Sequence, residues 1–153
     1  RRNKDMRKIF FIVVLMLGWV MEAKSQEGLQ IAELFNGQYK RKDNAIEVVV
    51  KGNQLERYKL EVFRSLTIKN DPKDFERIEK LVEQDEKHAI SKETGHIGER
   101  LYYAFYCFPP EKERFRYMFY RNSSLRKTES NELTLIYMEG NVTMDELKDM
   151  FKK

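Results

Sequence analysis

Three aromatic-rich runs between Leu101 and Met138 constrain the fold of this chain more than any other feature. They read LYYAFYCF, RFRYMFY and LTLIYM. Tyr, Phe, Ile and Thr suit a pleated, half-buried surface. Each run has strand length, and polar or Pro-containing turns bound it. The runs predict a three-stranded antiparallel meander. Successive side chains of a strand point to opposite faces. Leu101, Tyr103, Phe105 and Cys107 therefore oppose Tyr102, Ala104, Tyr106 and Phe108. Phe115, Tyr117 and Phe119 oppose Arg116, Met118 and Tyr120, while Leu133, Leu135 and Tyr137 oppose Thr134, Ile136 and Met138. One set is almost wholly apolar or aromatic and predicts core. The other mixes Tyr, Arg, Met and Thr. Its grouping onto a single face is an inference, because register between strands is not written in the sequence.

The first 25 residues read as a secretory signal peptide. A basic start (Met6-Arg7-Lys8, or Arg1 to Lys8) precedes an apolar run of 12 residues, Ile9 to Val20, and Ala23-Lys24-Ser25 is a small-x-small cleavage signal before Gln26. A membrane anchor is the competing reading, but a span needs about 20 apolar residues. No Cys follows the run, which excludes lipoprotein anchoring at this site. Export also changes the charge argument. Residues 1–25 carry six of the 29 Lys and Arg and two of the 25 Asp and Glu, so residues 26–153 carry 23 of each. A neutral domain gives no argument for nucleic-acid binding. The length of 26–153 suits one domain with one core.

The rest of the chain supplies a hairpin and helices. Glu27 to Phe35 predicts a short helix that stops at Asn36-Gly37, and Gln38 to Asn44 a loop. Ala45 to Lys51 (AIEVVVK) is β-branched and strand-like, and Gly52-Asn53 suits a tight hairpin. Tyr58 to Ile68 alternates as a second strand, although Leu60, Phe63 and Leu66 also recur at helical spacing. Pro72 to Ile90 is the strongest helix, with Asp71 as N-cap and Pro72 at its first position. Phe75, Ile78, Leu81, Val82 and Ala89 form its apolar face, and its charged face is read as solvated. Ser91 to Gly98 is a glycine-bearing loop. Pro109-Pro110-Glu111-Lys112 is a stiff turn, and Asn122 to Asn131 a longer polar one. Thr143 to Phe151 closes with a helix whose Thr143 and Glu146 fit a capping box. The layer argument then gives an α+β fold: an antiparallel sheet of about five strands, a two-stranded hairpin plus the meander, with helices packed on it.

Chemistry-bearing patterns are sparse. Cys107, the single cysteine, has no intramolecular partner and sits between Tyr106 and Phe108, as a buried thiol would. His88 and His96 are eight residues apart and lack a recognised ligand spacing, so no metal site is expected. No nucleophile elbow, zinc-protease motif, P-loop or dinucleotide turn is present, and no cofactor is expected. Asn122-Ser123-Ser124 and Asn141-Val142-Thr143 match the N-glycosylation pattern. The mixed face of the meander remains: Tyr102, Tyr106, Arg116, Met118, Tyr120 and Thr134. Tyr and Arg dominate binding hot spots, and Tyr rings also hold sugars or extended peptides. The competing reading is that a terminal helix covers this face, with the Tyr hydroxyls reaching the rim.

The cleavage signal Ala23-Lys24-Ser25-Gln26 and the ending LTLIYMEGNVTMDELKDMF resemble a group of small exported proteins of unknown function from gut Bacteroidetes. The resemblance implies a periplasmic or secreted location in a Gram-negative bacterium, and it carries over no catalytic residue. The leading function is a non-enzymatic binding or interaction module for an unknown ligand or envelope protein, with Arg116 and its tyrosines holding an anionic or carbohydrate ligand. One alternative is a hydrolase whose site assembles from His96, Glu99 and Cys107. The other is a structural or signalling partner that offers a sheet edge. No nucleic acid and no membrane span after signal cleavage are expected, and the sequence assigns no oligomeric state.

Overall fold

The computed structural model describes residues 28–151, so the signal peptide predicted over residues 1–25 lies outside the described residues. Its frame is a six-stranded antiparallel sheet. The strands are β1 (Ala45–Lys51), β2 (Leu60–Lys69), β3 (Ser91–Ile97), β4 (Arg100–Glu111), β5 (Arg114–Asn122) and β6 (Glu132–Gly140), in the order β1-β2-β6-β5-β4-β3. The three aromatic runs form β4, β5 and β6, neighbours in an antiparallel meander as expected. The sheet gains its sixth strand from Ser91–Ile97, read above as a loop. That segment is polar because it is an edge strand with little apolar cover, so it shows no hydrophobic alternation.

Helix α1 (Pro72–Asp85) lies on one face of the sheet. Asp71 Oδ1 accepts from Asp74 N at 3.2 Å and Pro72 opens the first turn, as the sequence predicts. Phe75, Ile78 and Val82 recur at helical spacing and are fully buried against Leu66, Ile68, Leu135 and Tyr120. Burying such a side chain contributes about 1.5–3 kcal/mol. The helix ends at Asp85 rather than Ile90, where a 3₁₀ turn (Glu86–His88) leads the chain into β3. The predicted N-terminal helix is a 3₁₀ helix, Gln30–Phe35, whose Ile31 and Leu34 complete this core.

Helix α2 (Met144–Phe151) lies on the opposite face with a second 3₁₀ segment, Gly52–Tyr58. This segment replaces the tight hairpin expected at Gly52-Asn53. Leu55, Leu60, Phe105, Cys107, Tyr117, Met138, Val142 and Leu147 form a second core there. The reversal between β4 and β5 is also one step later than expected. Pro109 and Pro110 belong to β4, beyond the last β3 partner at Cys107, where β4 has no ladder to donate to on that side. Lys112 and Glu113 make the turn, both at positive φ.

Candidate functional site

The six residues of the predicted binding face do not share one surface. Tyr106, Met118 and Tyr120 are fully buried beneath α1, beside Leu135 and Tyr137. The face is covered at these three, but by the mid-chain α1 rather than a terminal helix, and the Tyr106 and Tyr120 hydroxyls are buried rather than at a rim. Tyr120 donates to Leu101 O at 3.3 Å, and burial raises the phenol pKa of both Tyr106 and Tyr120. Arg116 sits at one end of this face with its side chain 13 % exposed. Its Nε donates to Pro109 O at 3.0 Å, and its guanidinium lies over the Phe108 ring at 5.7 Å. Tyr102 belongs to a separate cluster at the other end. It donates to both Glu129 oxygens at 3.0 Å, between the guanidinium groups of Arg121 and Arg126. Thr134 lies on the opposite face of the sheet. It pairs with Thr67 and Arg121, so β6 turns Leu133, Leu135 and Tyr137 toward α1 instead.

The chain's buried acids hold the fold together. Glu79 accepts from Arg100 Nε at 2.7 Å and from Leu101 N at 2.9 Å, opposite the bulge where β3 shifts register on β4. Asp85 accepts from Gln30 N at 2.6 Å and Ile31 N at 3.0 Å. Both are buried beside the apolar stripe of α1, Glu79 four residues after Phe75 and Asp85 three after Val82. Glu139 accepts from Arg114 Nη1 at 2.9 Å and from the Tyr137 hydroxyl at 2.7 Å. It borders a polar cleft of about 600 Å³ in which Lys51, Arg64 and Arg114 are matched by Glu56, Glu61 and Glu139. Arg114 pairs there with Glu61 at 3.4 Å and Glu139 at 2.9 Å, and the three cations and three anions leave the cleft without net charge.

The hydrolase constellation is not assembled. His96 pairs with Leu101 near the start of β4, whereas Cys107 lies six positions further along that strand. At the rise of a strand this is about 20 Å. Burial also pushes the Cys107 thiol up, which favours the unreactive protonated form. His88 and His96 are both exposed, and no group of three metal-ligating side chains exists among the described residues.

The second face of the sheet is only half covered. Helix α2 is eight residues long and is fixed at its start by the predicted capping box. Thr143 N donates to Glu146 Oε1 at 2.8 Å, and Glu146 N donates to Thr143 Oγ1 at 3.2 Å. Lys59 Nζ reaches Glu146 at 2.6 Å, and Lys148 pairs with Glu93. The Tyr117 hydroxyl, its pKa pushed up to about 12 by burial, donates to Val142 O at 2.8 Å. Leu147 is buried between them, but the helix stops short of β1 and β2. An apolar groove of about 390 Å³ remains. The sheet contributes Val50, Leu60, Phe63 and Met138, the 3₁₀ segment Leu55 and Tyr58, and α2 Leu147 and Met150. Beyond it Ile46 and Val48 stand exposed on the same face.

One family's sequence profile matches residues 18–151, most of the chain. The chain belongs to DUF6108, a family of unknown function. The DUF6108 match spans all the strands and both helices of the described residues, and so includes the groove and both edges of the sheet. No curated protein and no solved structure matches the chain. No described helix is long and apolar enough to cross a membrane. Sequence reasoning missed the DUF6108 groove because Leu55 falls between the predicted turn and strand, and Tyr58 reads as the start of that strand rather than as part of a 3₁₀ segment. The Met144, Leu147, Met150 stripe was the one available signal.

Proposed function

We propose that this DUF6108 chain is a non-enzymatic binding module, exported to the periplasm or beyond the cell, whose ligand occupies the apolar groove beside α2. The groove carries the reading. A sheet face is ordinarily covered by another layer, and here Phe63 and Met150 are left beside open space. Lys59 and Glu146, which flank the groove's residues in sequence, place charge beside it. An amphipathic ligand fits this chemistry, with its apolar part in the groove and its polar part toward the ion pair. The basic start, the apolar run and Ala23-Lys24-Ser25 support export. So does the resemblance to exported gut Bacteroidetes proteins.

Titration with dodecanoate, followed by tyrosine fluorescence, tests the groove. Met150 is partly exposed and its replacement leaves both cores intact. Saturable binding is expected, and Met150→Glu is expected to weaken it about tenfold or more, the worth of one buried methionine. Arg126→Glu, on the Tyr102 cluster, should bind as the unaltered protein does. Absence of saturable binding, or equal binding by Met150→Glu, overturns the assignment.

A further inference from the structure

The two edges of the sheet are built differently. At the β3 edge the register shifts between Gly95 and His96, a bulge that blunts pairing. At the β1 edge, pairing with β2 is regular from Ala45 to Lys51. Ile46 is 60 % exposed, Val48 40 % and Val49 45 %, so β-branched side chains are open on both faces. An edge of this kind is a template for another strand.

We propose that β1 pairs antiparallel with β1 of a second copy of this chain, across a two-fold axis at Val49. Two observations select this partner and register. Lys69 N donates to Asn44 O at 2.9 Å, so Asn44 and Lys69 form a hydrogen-bonded pair. Antiparallel pairs alternate, so Glu47, Val49 and Lys51 face their backbone groups outward, while the Ala45 N–H is taken by Lys42 O at 3.3 Å and lies outside the pairing. In a copy centred on Val49, these outward groups meet outward groups. Second, the same register sets Glu47 opposite Lys51 of the second copy, twice by symmetry, on the face shared with Val49. A register moved by two residues sets Glu47 against Val49 and loses both ion pairs. Charged residues on an edge usually repel strand addition, but these two are spaced so that a copy of the same strand matches them. Val48 then lies opposite Val50 of the second copy, which brings the two grooves side by side on one continuous face. This pairing goes beyond the groove reading and stands without it.

Sedimentation velocity on the purified full chain, with three variants, tests the pairing. The unaltered protein is expected at twice the monomer mass. Val49→Pro removes one outward N–H and no bond to β2, and should sediment as a monomer. Glu47→Lys sets Lys against Lys and should also be monomeric. Glu47→Lys combined with Lys51→Glu restores opposite charges and should recover the dimer. Circular dichroism checks that each variant is folded. A monomeric unaltered protein overturns the proposal. So does a dimer that survives both single variants, since the copies then meet elsewhere. Failure of the double variant to recover the dimer overturns the register.

Discussion

Asp85 ties together segments 54 and 55 residues apart through two backbone N–H groups. Burial raises its carboxyl pKa, and the hydrogen bonds from Gln30 and Ile31 oppose that rise. The first turn of a helix exposes N–H groups without intrahelical acceptors, and Asp85 satisfies two of them for the Gln30–Phe35 segment. Asp85→Ala would leave the buried Ile31 donor and the partly buried Gln30 donor unpaired and is expected to cost about 2–3 kcal/mol. Asp85→Asn keeps one acceptor oxygen and should cost less. Urea unfolding measures both, and an unchanged midpoint for Asp85→Ala would show the tie to be dispensable. Little at this scale was legible in the sequence. Glu79 and Asp85 did not stand out among the charged residues of their helix, because the backbone groups they bind lie far along the chain. Cys107 was legible, since its apolar neighbours alone place it in a core.

The secondary-structure elements were far more readable. Aromatic and β-branched alternation located β4, β5 and β6, and the Asp71-Pro72 cap located α1. Thr143 and Glu146 located α2 by a local hydrogen-bond exchange. Misreadings fell where tertiary context rules: β3 is held by β4 rather than by its own pattern, and Pro109-Pro110 continues a strand whose flank is unpaired. The β4–β5 turn shows the same tension. Lys112 and Glu113 have φ of 54° and 64°, values that favour Asn and Gly. Replacing the pair by Asn-Gly should raise stability by about 1 kcal/mol, read as a higher melting temperature. No gain would mean that the turn is held at this conformation without strain.

Across the whole molecule, one sheet carries two cores of unequal cover. The sequence showed which side chains alternate, but which set met which helix depended on register. Thr134 was therefore placed with the tyrosines, when β6 turns it away from them. The smaller core depends on the seat of α2. The hydrogen bond from Lys59, and then that from Thr143 N, lowers the Glu146 carboxyl to about 2 from an ordinary value of 4.5. A depressed carboxyl stabilises the fold fully above its ordinary value, and that contribution is lost as pH falls through the lowered one. Between pH 5 and pH 2 the α2 core should loosen ahead of the α1 core. Hydrogen exchange at the Leu147 amide reports this, and Glu146→Gln should flatten its pH dependence. Exchange that rises equally at Ile78 and Leu147 would contradict separate cores.

The strand order β1-β2-β6-β5-β4-β3 has a consequence for how the molecule comes into being. β6 is the last strand in the chain, yet it alone bridges the β1–β2 hairpin and the β3–β4–β5 ribbon. As a ribosome makes the chain from its N-terminus, both halves emerge with a raw inner edge and nothing between them. The sheet closes only when Glu132–Gly140 slides in. Closure is thus a single late event, and until then the nascent protein is two fragments on one string.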